Sequence, residues 1–157
     1  MQKIIPCLWF DNEAEEAMNF YTSVFKNSKK GKIEYYGEAG PRPAGTVLTA
    51  SFELNGMEFL ALNGGPHFKF TEAVSFQIPC DTREEVDYYW DKLIEGGGQP
   101  SQCGWLKDKF GLSWQVFPTI LPKLLGDPDR AKANRVMQAM MQMGKIDTAK
   151  IEQAAKG

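Results

Sequence analysis

The sequence predicts an α+β fold made of two successive βαβββ modules and a C-terminal helical extension, and three observations predict it. The order strand, capped helix, then β-strands begins at residue 4 and begins again at residue 74, with the pattern repeating rather than the letters. Each helix carries an apolar stripe at helical spacing, and each opening strand is a short apolar run. From Asp127 the composition shifts to helix formers rich in methionine. These boundaries place module one over 1–66, module two over 70–122 and the C-terminal helices over 127–156, within a single domain of 157 residues.

The elements follow in order. Residues 4–10, IIPCLWF, read as a buried strand interrupted by Pro6. Asn12 is a good helix cap with Glu15 three residues on, and Glu13, Glu15 and Glu16 suit the positive end of the helix dipole. Ala14, Ala17, Met18, Tyr21 and Val24 make the stripe of that helix. Residues 32–38, KIEYYGE, read as a strand, and Lys29, Lys30 and Lys32 as a solvated loop cluster. AGPRPAG (39–45) is too rich in Pro and Gly to be regular. TVLTASFEL and MEFLALN flank Asn55-Gly56, a strong hairpin signal because both turn residues take positive φ.

In the second module VSFQIP (74–79) is a strand, and Thr82 with Glu85 forms a capping box for a helix whose stripe is Val86, Tyr89, Trp90, Leu93 and Ile94. Gly96, Gly97 and Gly98 stop it. A short strand over 102–107, a turn at 108–111 with Asp108 and Lys109 at its tip, and the strand LSWQVFP close the module, which is shorter than the first. In the extension, Asp127 with Pro128 reads as a helix start, Val136, Met137, Met140 and Met141 as one face, and Gly144 as its stop. Ile146 and Ile151 flank an Asp147 cap at staple spacing, so a short last helix follows. The methionine cluster reads either as an adaptable binding surface or as core and dimer-interface packing.

Composition excludes several classes. Charged residues are 24% and the formal net charge is −2, with no basic face for nucleic acid. No apolar run approaches the ~20 residues that span a bilayer. The chain opens on a strand-like segment, so no signal peptide is expected. Cys7, Cys80 and Cys103 are odd in number with no CxxC, which suits free thiols in the cytoplasm.

The tandem βαβββ grammar, with NEAEEAMNFY in the first helix, resembles the vicinal oxygen chelate superfamily, which includes glyoxalase I, the extradiol dioxygenases and the bleomycin-resistance proteins. IIPCLWFDNEAEEAMNFYTSVF, LNGGPHFKFTEAVSFQI, CGWLKDKFGLSWQVFP and DPDRAKANRVMQAMMQMGKIDTAKIEQA together look like its PhnB-like branch, whose members are often labelled demethylubiquinone 3-methyltransferase-like. The resemblance implies that the modules form a glyoxalase-like open barrel or cup, reinforced in many members by a dimer partner. A ligand, and a divalent metal where present, would sit inside. The metal ligands would be His and Glu on the first and last strands of each module.

Carried over residue by residue, those positions fall near Pro6 or Cys7, near 61–63, near Val74 or Ser75, and at Gln115. No His or carboxylate stands at any of them. Gln115 keeps the shape of a glutamate without its charge and is a poor ligand for a hard dication. No metal site is therefore expected. S-adenosylmethionine is not expected either, because the link from first strand to first helix, FDNEAEE, has no glycine and the glycine pairs elsewhere open no helix.

Inward-facing positions of the implied cup pick out Cys7 and Trp9, Ser75 and Gln77, and Gln115 with Phe117, with one of each neighbouring pair open to being wrong-sided. Gln115 needs a polar partner amid Trp114, Val116 and Phe117, and Trp105 can stack on a planar ligand or cover the sheet. The weak catalytic candidates are His67, as a general base or an exposed loop residue, and Cys7, as a nucleophile or a buried thiol. The expected function is a small-molecule-binding protein of the glyoxalase and bleomycin-resistance type. The alternative is a glyoxalase-like lyase or isomerase, or a dioxygenase-like enzyme, on a small metabolite. A homodimer with no nucleic-acid or membrane partner is expected.

Overall fold

In the computed structural model the described residues are Gln2 and residues 4–157. They form two compact units, one ending at Phe70 and the other running Thr71–Gly157. The first holds β1 (Cys7–Phe10), α1 (Ala14–Val24), β2 (Ser28–Tyr35), β3 (Val47–Leu54) and β4 (Met57–Asn63). Its sheet runs β1-β4-β3-β2, with β1 parallel to β4 and the other pairs antiparallel. The second repeats that layout with β5 (Ser75–Cys80), α2 (Arg83–Ile94), β6 (Gln99–Pro100), β7 (Trp105–Lys107) and β8 (Ser113–Pro118) in the order β5-β8-β7-β6. Three further helices follow: α3 (Ile120–Leu125), α4 (Arg130–Met141) and α5 (Thr148–Lys156). The predicted tandem βαβββ architecture with a helical extension is the architecture observed. No helix of the described residues is long and apolar enough to cross a membrane.

The apolar stripes do what their spacing dictates. All five stripe residues of α1 are buried, and they share a core with Leu8, Phe10, Ala50, Phe52, Phe59 and Ala61 on one face of the first sheet. Tyr21 stacks on Phe52, which stacks on Phe59. Val86, Trp90 and Leu93 of α2 are likewise buried with Ile78, Leu106, Trp114 and Val116 of the second sheet. The hairpin at Asn55 and Gly56 has φ of 51° and 81°, the positive pair that the dipeptide predicts. Thr82 Oγ1 accepts from Glu85 N at 3.1 Å, as a cap should.

Several local expectations are corrected. The apolar opening does not form a strand throughout: β1 starts after Pro6, and Ile4 is 83% exposed. Lys29, Lys30 and Lys32 are not on a loop but on β2, an exposed edge strand, where charge discourages pairing with a second chain. Helix α1 is not capped by Asn12. Its N-cap position is Glu13, which makes no side-chain cap bond, and the free N–H of Ala14 donates instead to Asn63 Oδ1 at 2.9 Å. Asn63 also donates from Nδ2 to the Val47 carbonyl at 3.1 Å, and its own carbonyl accepts from the Tyr36 hydroxyl. One buried residue thus ties β4, β3, α1 and Tyr36 together, its side-chain amide serving Ala14 and Val47 and its backbone carbonyl serving Tyr36. Helix α4 begins two residues later than expected, because Asp127 Oδ1 accepts from Asp129 N and Asp129 then caps Lys132 N. Of its predicted face, Val136 is buried and Met140 partly so, while Met137 and Met141 are exposed. Ile146 and Ile151 are buried about the Asp147 cap, as the staple requires.

Replacing Asn63 by Ala removes a helix cap and leaves the Val47 carbonyl without its donor. Asn63→Ala is expected to lower the unfolding free energy by about 2–3 kcal/mol in urea titration, with the α1 amides losing most hydrogen-exchange protection. Asn63→Asp, which keeps the acceptor, is expected to lose less. A loss below about 0.5 kcal/mol for the alanine variant would contradict the assigned role.

Candidate functional site

The second sheet has two chemically distinct faces. Side chains alternate along β8, so Trp114 and Val116 turn to α2 while Ser113, Gln115 and Phe117 turn away. Register extends that second face across the sheet. Gln115 lies between Gln77 on β5 and Trp105 on β7, and Ser113 lies between Ser75 and Lys107. Five of the six predicted ligand-binding residues, Ser75, Gln77, Trp105, Gln115 and Phe117, therefore share one face. The partner that a glutamine among aromatics demands is present, since Gln115 Nε2 donates to Ser75 Oγ at 2.9 Å.

The far end of this face is walled by the C-terminal extension. Leu121, Leu124, Val136, Ile146 and Ile151 form a core of their own against which Phe117 and Met140 pack. Backbone bonds attach the extension to the sheet. Cys103 N donates to Met143 O and Gly104 N to Gly144 O, both at 2.8 Å, and Val116 N donates to Gly104 O at 2.8 Å. Gly104 has φ +84°, and a Cβ there would lie 2.7 Å from the Val116 carbonyl, so the close approach requires glycine. The result is a cleft of about 240 Å³ with Gln77, Gln115, Trp105 and Phe117 on the sheet side and Leu121, Pro122, Leu125 and Met140 on the helical side. A second cleft of about 420 Å³ shares Cys103 and Trp105 with it and continues along the face to Ser113, Lys107 and Glu72. An ion pair joins Lys107 to Glu72, and that ammonium holds the Glu72 carboxyl below the usual carboxylate range.

The remaining predicted residues lie elsewhere. Trp9 is on β1 of the first unit, where its indole donates to Gly65 O at 2.9 Å, packs on Gly64 and meets the Phe68 ring edge-on. Those contacts give it a structural role in its own unit. His67 is exposed on the loop after β4. Cys7 is exposed at the start of β1, with partial desolvation pushing its thiol up rather than down. Cys80 is fully buried, and burial, helped by Glu85 and Asp81, pushes its thiol to about 12. All three cysteines are free thiols.

Sequence reasoning passed over Ser113, Lys107, Glu72 and, on the helical side, Leu121, Pro122 and Leu125, while Met140 belongs to the methionine cluster that it did single out. Ser113 was within reach, because it is two residues from Gln115 and so on the same face. The contribution of α3 left no local signal, since that helix is six residues long and contains a proline.

A tandem βαβββ chain with a ligand-sized cleft on one sheet face belongs to the vicinal oxygen chelate class of folds. The chain is a member of the PhnB-like family whose model is described as 3-demethylubiquinone-9 3-methyltransferase, matched over residues 2–117. A PhnB protein from Bacillus cereus is 42% identical, with 74% of this chain covering 99% of that one at a TM-score of 0.66. Protein PA1353 from Pseudomonas aeruginosa, at 20% identity and TM-score 0.63 over 75% of this chain and 98% of that one, shares the fold. So does the fosfomycin resistance protein FosX from Mesorhizobium loti, at 11% identity and TM-score 0.51 over 76% and 93%. None of the curated proteins matches the chain.

Raised thiol pKa values mean less thiolate at any given pH, and that has a direct readout. Iodoacetamide at pH 8, followed by mass spectrometry, is expected to leave Cys80 unmodified until the protein is denatured. Cys7 is expected to react more slowly in the native protein than in urea. Faster reaction of Cys7 in the native state would make it an activated nucleophile.

Proposed function

We propose that the protein binds a small amphiphilic organic molecule in the cleft beside Gln115, in the manner of the glyoxalase and bleomycin-resistance class, and that it does so without a metal. The observation that carries this reading is the chemistry of the two walls. One side offers amide groups at Gln77 and Gln115 and an indole at Trp105. The other offers only aliphatic and thioether surface, from Leu121, Leu125 and Met140. A pocket that is mostly apolar with a few fixed polar groups is the usual small-molecule site.

The donor set at the positions where the superfamily holds its metal does not fit a hard dication. Cys7 is a soft sulfur donor, Ser75 is a hydroxyl, and Gln115 is an amide already donating to that hydroxyl. Asn63, at the end of β4, is committed to α1 and Val47. Among the described residues no group of three His, Cys, Asp or Glu side chains is placed to hold an ion. The methyltransferase description of the family is also unsupported by local chemistry. The β1–α1 link lacks glycine, and the first free N–H of α1 is occupied by Asn63. Among the described residues the only parallel strand pairs are β1 with β4 and β5 with β8, unlike a doubly wound sheet.

A screen of neutral naphthalene, indole and benzene derivatives by 1H–15N NMR is expected to move the Trp105 indole and Gln115 side-chain signals saturably. Trp105→Ala is expected to weaken the best probe about tenfold, through lost stacking and area, and Gln115→Leu to weaken it less. If no probe moves either signal, the cleft is not a binding site. Calorimetric titration with S-adenosylmethionine is expected to give no heat of binding, and a micromolar affinity would restore the methyltransferase reading.

A further inference from the structure

The face that carries Gln115 continues past Trp105, and its chemistry changes there. Ser113 is 1% exposed, and its Oγ has no hydrogen-bond partner among the described residues. Buried hydroxyls are paired in the great majority of cases, so an unpaired one on a cleft wall is a donor placed for something that binds. Directly beside it in register is Lys107, the one cationic side chain that lines this end of the cleft among the described residues. Its ammonium is held by Glu72, which comes from the irregular segment just before β5. Both partners of that pair reach solvent, with side chains 44% and 61% exposed, and a pair so exposed is weak enough to exchange.

Resting on the reading of the Trp105 cleft as a ligand site, we propose that this end is an anion subsite and that the ligand is a carboxylate on an aromatic or alicyclic body. Its ring lies along Trp105, and its carboxylate replaces that of Glu72 on Lys107 Nζ while accepting from Ser113 Oγ. A single carboxylate fits better than a phosphate because one ammonium and one hydroxyl complement one negative charge. Glu72 already presents the matching headgroup from within the chain. It therefore acts as a built-in competitor, keeping Lys107 neutralised while the cleft is empty.

The matched probes 1-naphthaleneacetate and 1-naphthaleneacetamide share a ring and differ in charge, and their NMR titration at low ionic strength tests the proposal. The acetate is expected to bind about tenfold tighter than the amide. Lys107→Gln is expected to bring the acetate down to the affinity of the amide and leave the amide unchanged, and Ser113→Ala to cut the acetate alone by a smaller factor. Glu72→Gln is the diagnostic variant. Its side chain is exposed, so the fold tolerates it, and removing the competitor is expected to tighten the acetate several-fold. Equal affinities for the two probes, or weaker acetate binding by Glu72→Gln, would overturn the anion subsite while continued amide binding at Trp105 kept the cleft itself. If neither probe moved Trp105 or Gln115, both readings would fall.

Discussion

Asp108 accepts three hydrogen bonds at the β7–β8 turn: Oδ1 from Phe110 N at 2.9 Å and Leu112 N at 3.1 Å, and Oδ2 from Trp114 Nε1 at 2.9 Å. The residue is only 2% exposed, and a buried carboxylate is tolerable when it is this fully hydrogen-bonded. Its backbone closes the same turn through Asp108 N to Leu112 O and Gly111 N to Asp108 O. The consequence is register. With the turn fixed, Lys107 faces Ser113 and Trp105 faces Gln115. A slip of one residue would send Gln115 toward α2 and Trp114 into the cleft. The indole N–H of Trp114 adds to that register, because its bond to Asp108 would be lost in a slip. The pairing of Lys107 with Ser113 and of Trp105 with Gln115 depends on this turn.

The two modules share a layout but divide the labour. On β4 the side chains turned away from α1 are Glu58, Leu60 and Leu62, where β8 presents Ser113, Gln115 and Phe117. At its helix-facing side the first sheet carries a buried polar group, Asn63, which satisfies the start of α1 and the Val47 carbonyl. Polarity there holds the module together. In the second module the helix start is served locally by Thr82, so β8 is free to turn its polar side chains outward. A duplicated pattern thus yields two sheets that satisfy their helix starts differently, one through a long-range amide and one through a local hydroxyl.

How much of this was legible in the sequence follows from the range of the interactions. The Asn55-Gly56 hairpin, the Thr82 cap and the Ile146–Asp147–Ile151 staple are contacts within a few residues, and each was readable. Asn12 looked like a cap because cap chemistry is local in most helices. The acceptor used by Ala14 comes from 49 residues away, which no local pattern encodes. Asp127 misled for a subtler reason: two aspartates flank Pro128, and the second wins because the first is spent on the backbone of the second. At the site, period-two alternation was enough to group Ser75, Gln77, Gln115 and Phe117. It could not reveal that Trp9 is engaged by Gly64 and Gly65, nor that Ser113 lacks a partner, since both facts depend on packing.

The extension explains why the chain needs more than its two modules. The family model ends at residue 117, and 74% of this chain suffices to cover 99% of the Bacillus cereus protein. What lies beyond is not an appendage, because its core buries Val136 and Ile151 completely and takes Phe117 of β8 as a partner. It is joined to the sheet by the bonds from Cys103 and Gly104 to Met143 and Gly144, at the place where Gly104 admits no side chain. Those bonds hold Cys103 and Trp105 at the junction of the two clefts. Without α3 and α4 the amide face of the sheet would be an open polar surface with one aromatic ridge. With them it gains an aliphatic wall facing Gln77 and Gln115, and a surface becomes a cleft with one polar and one apolar side.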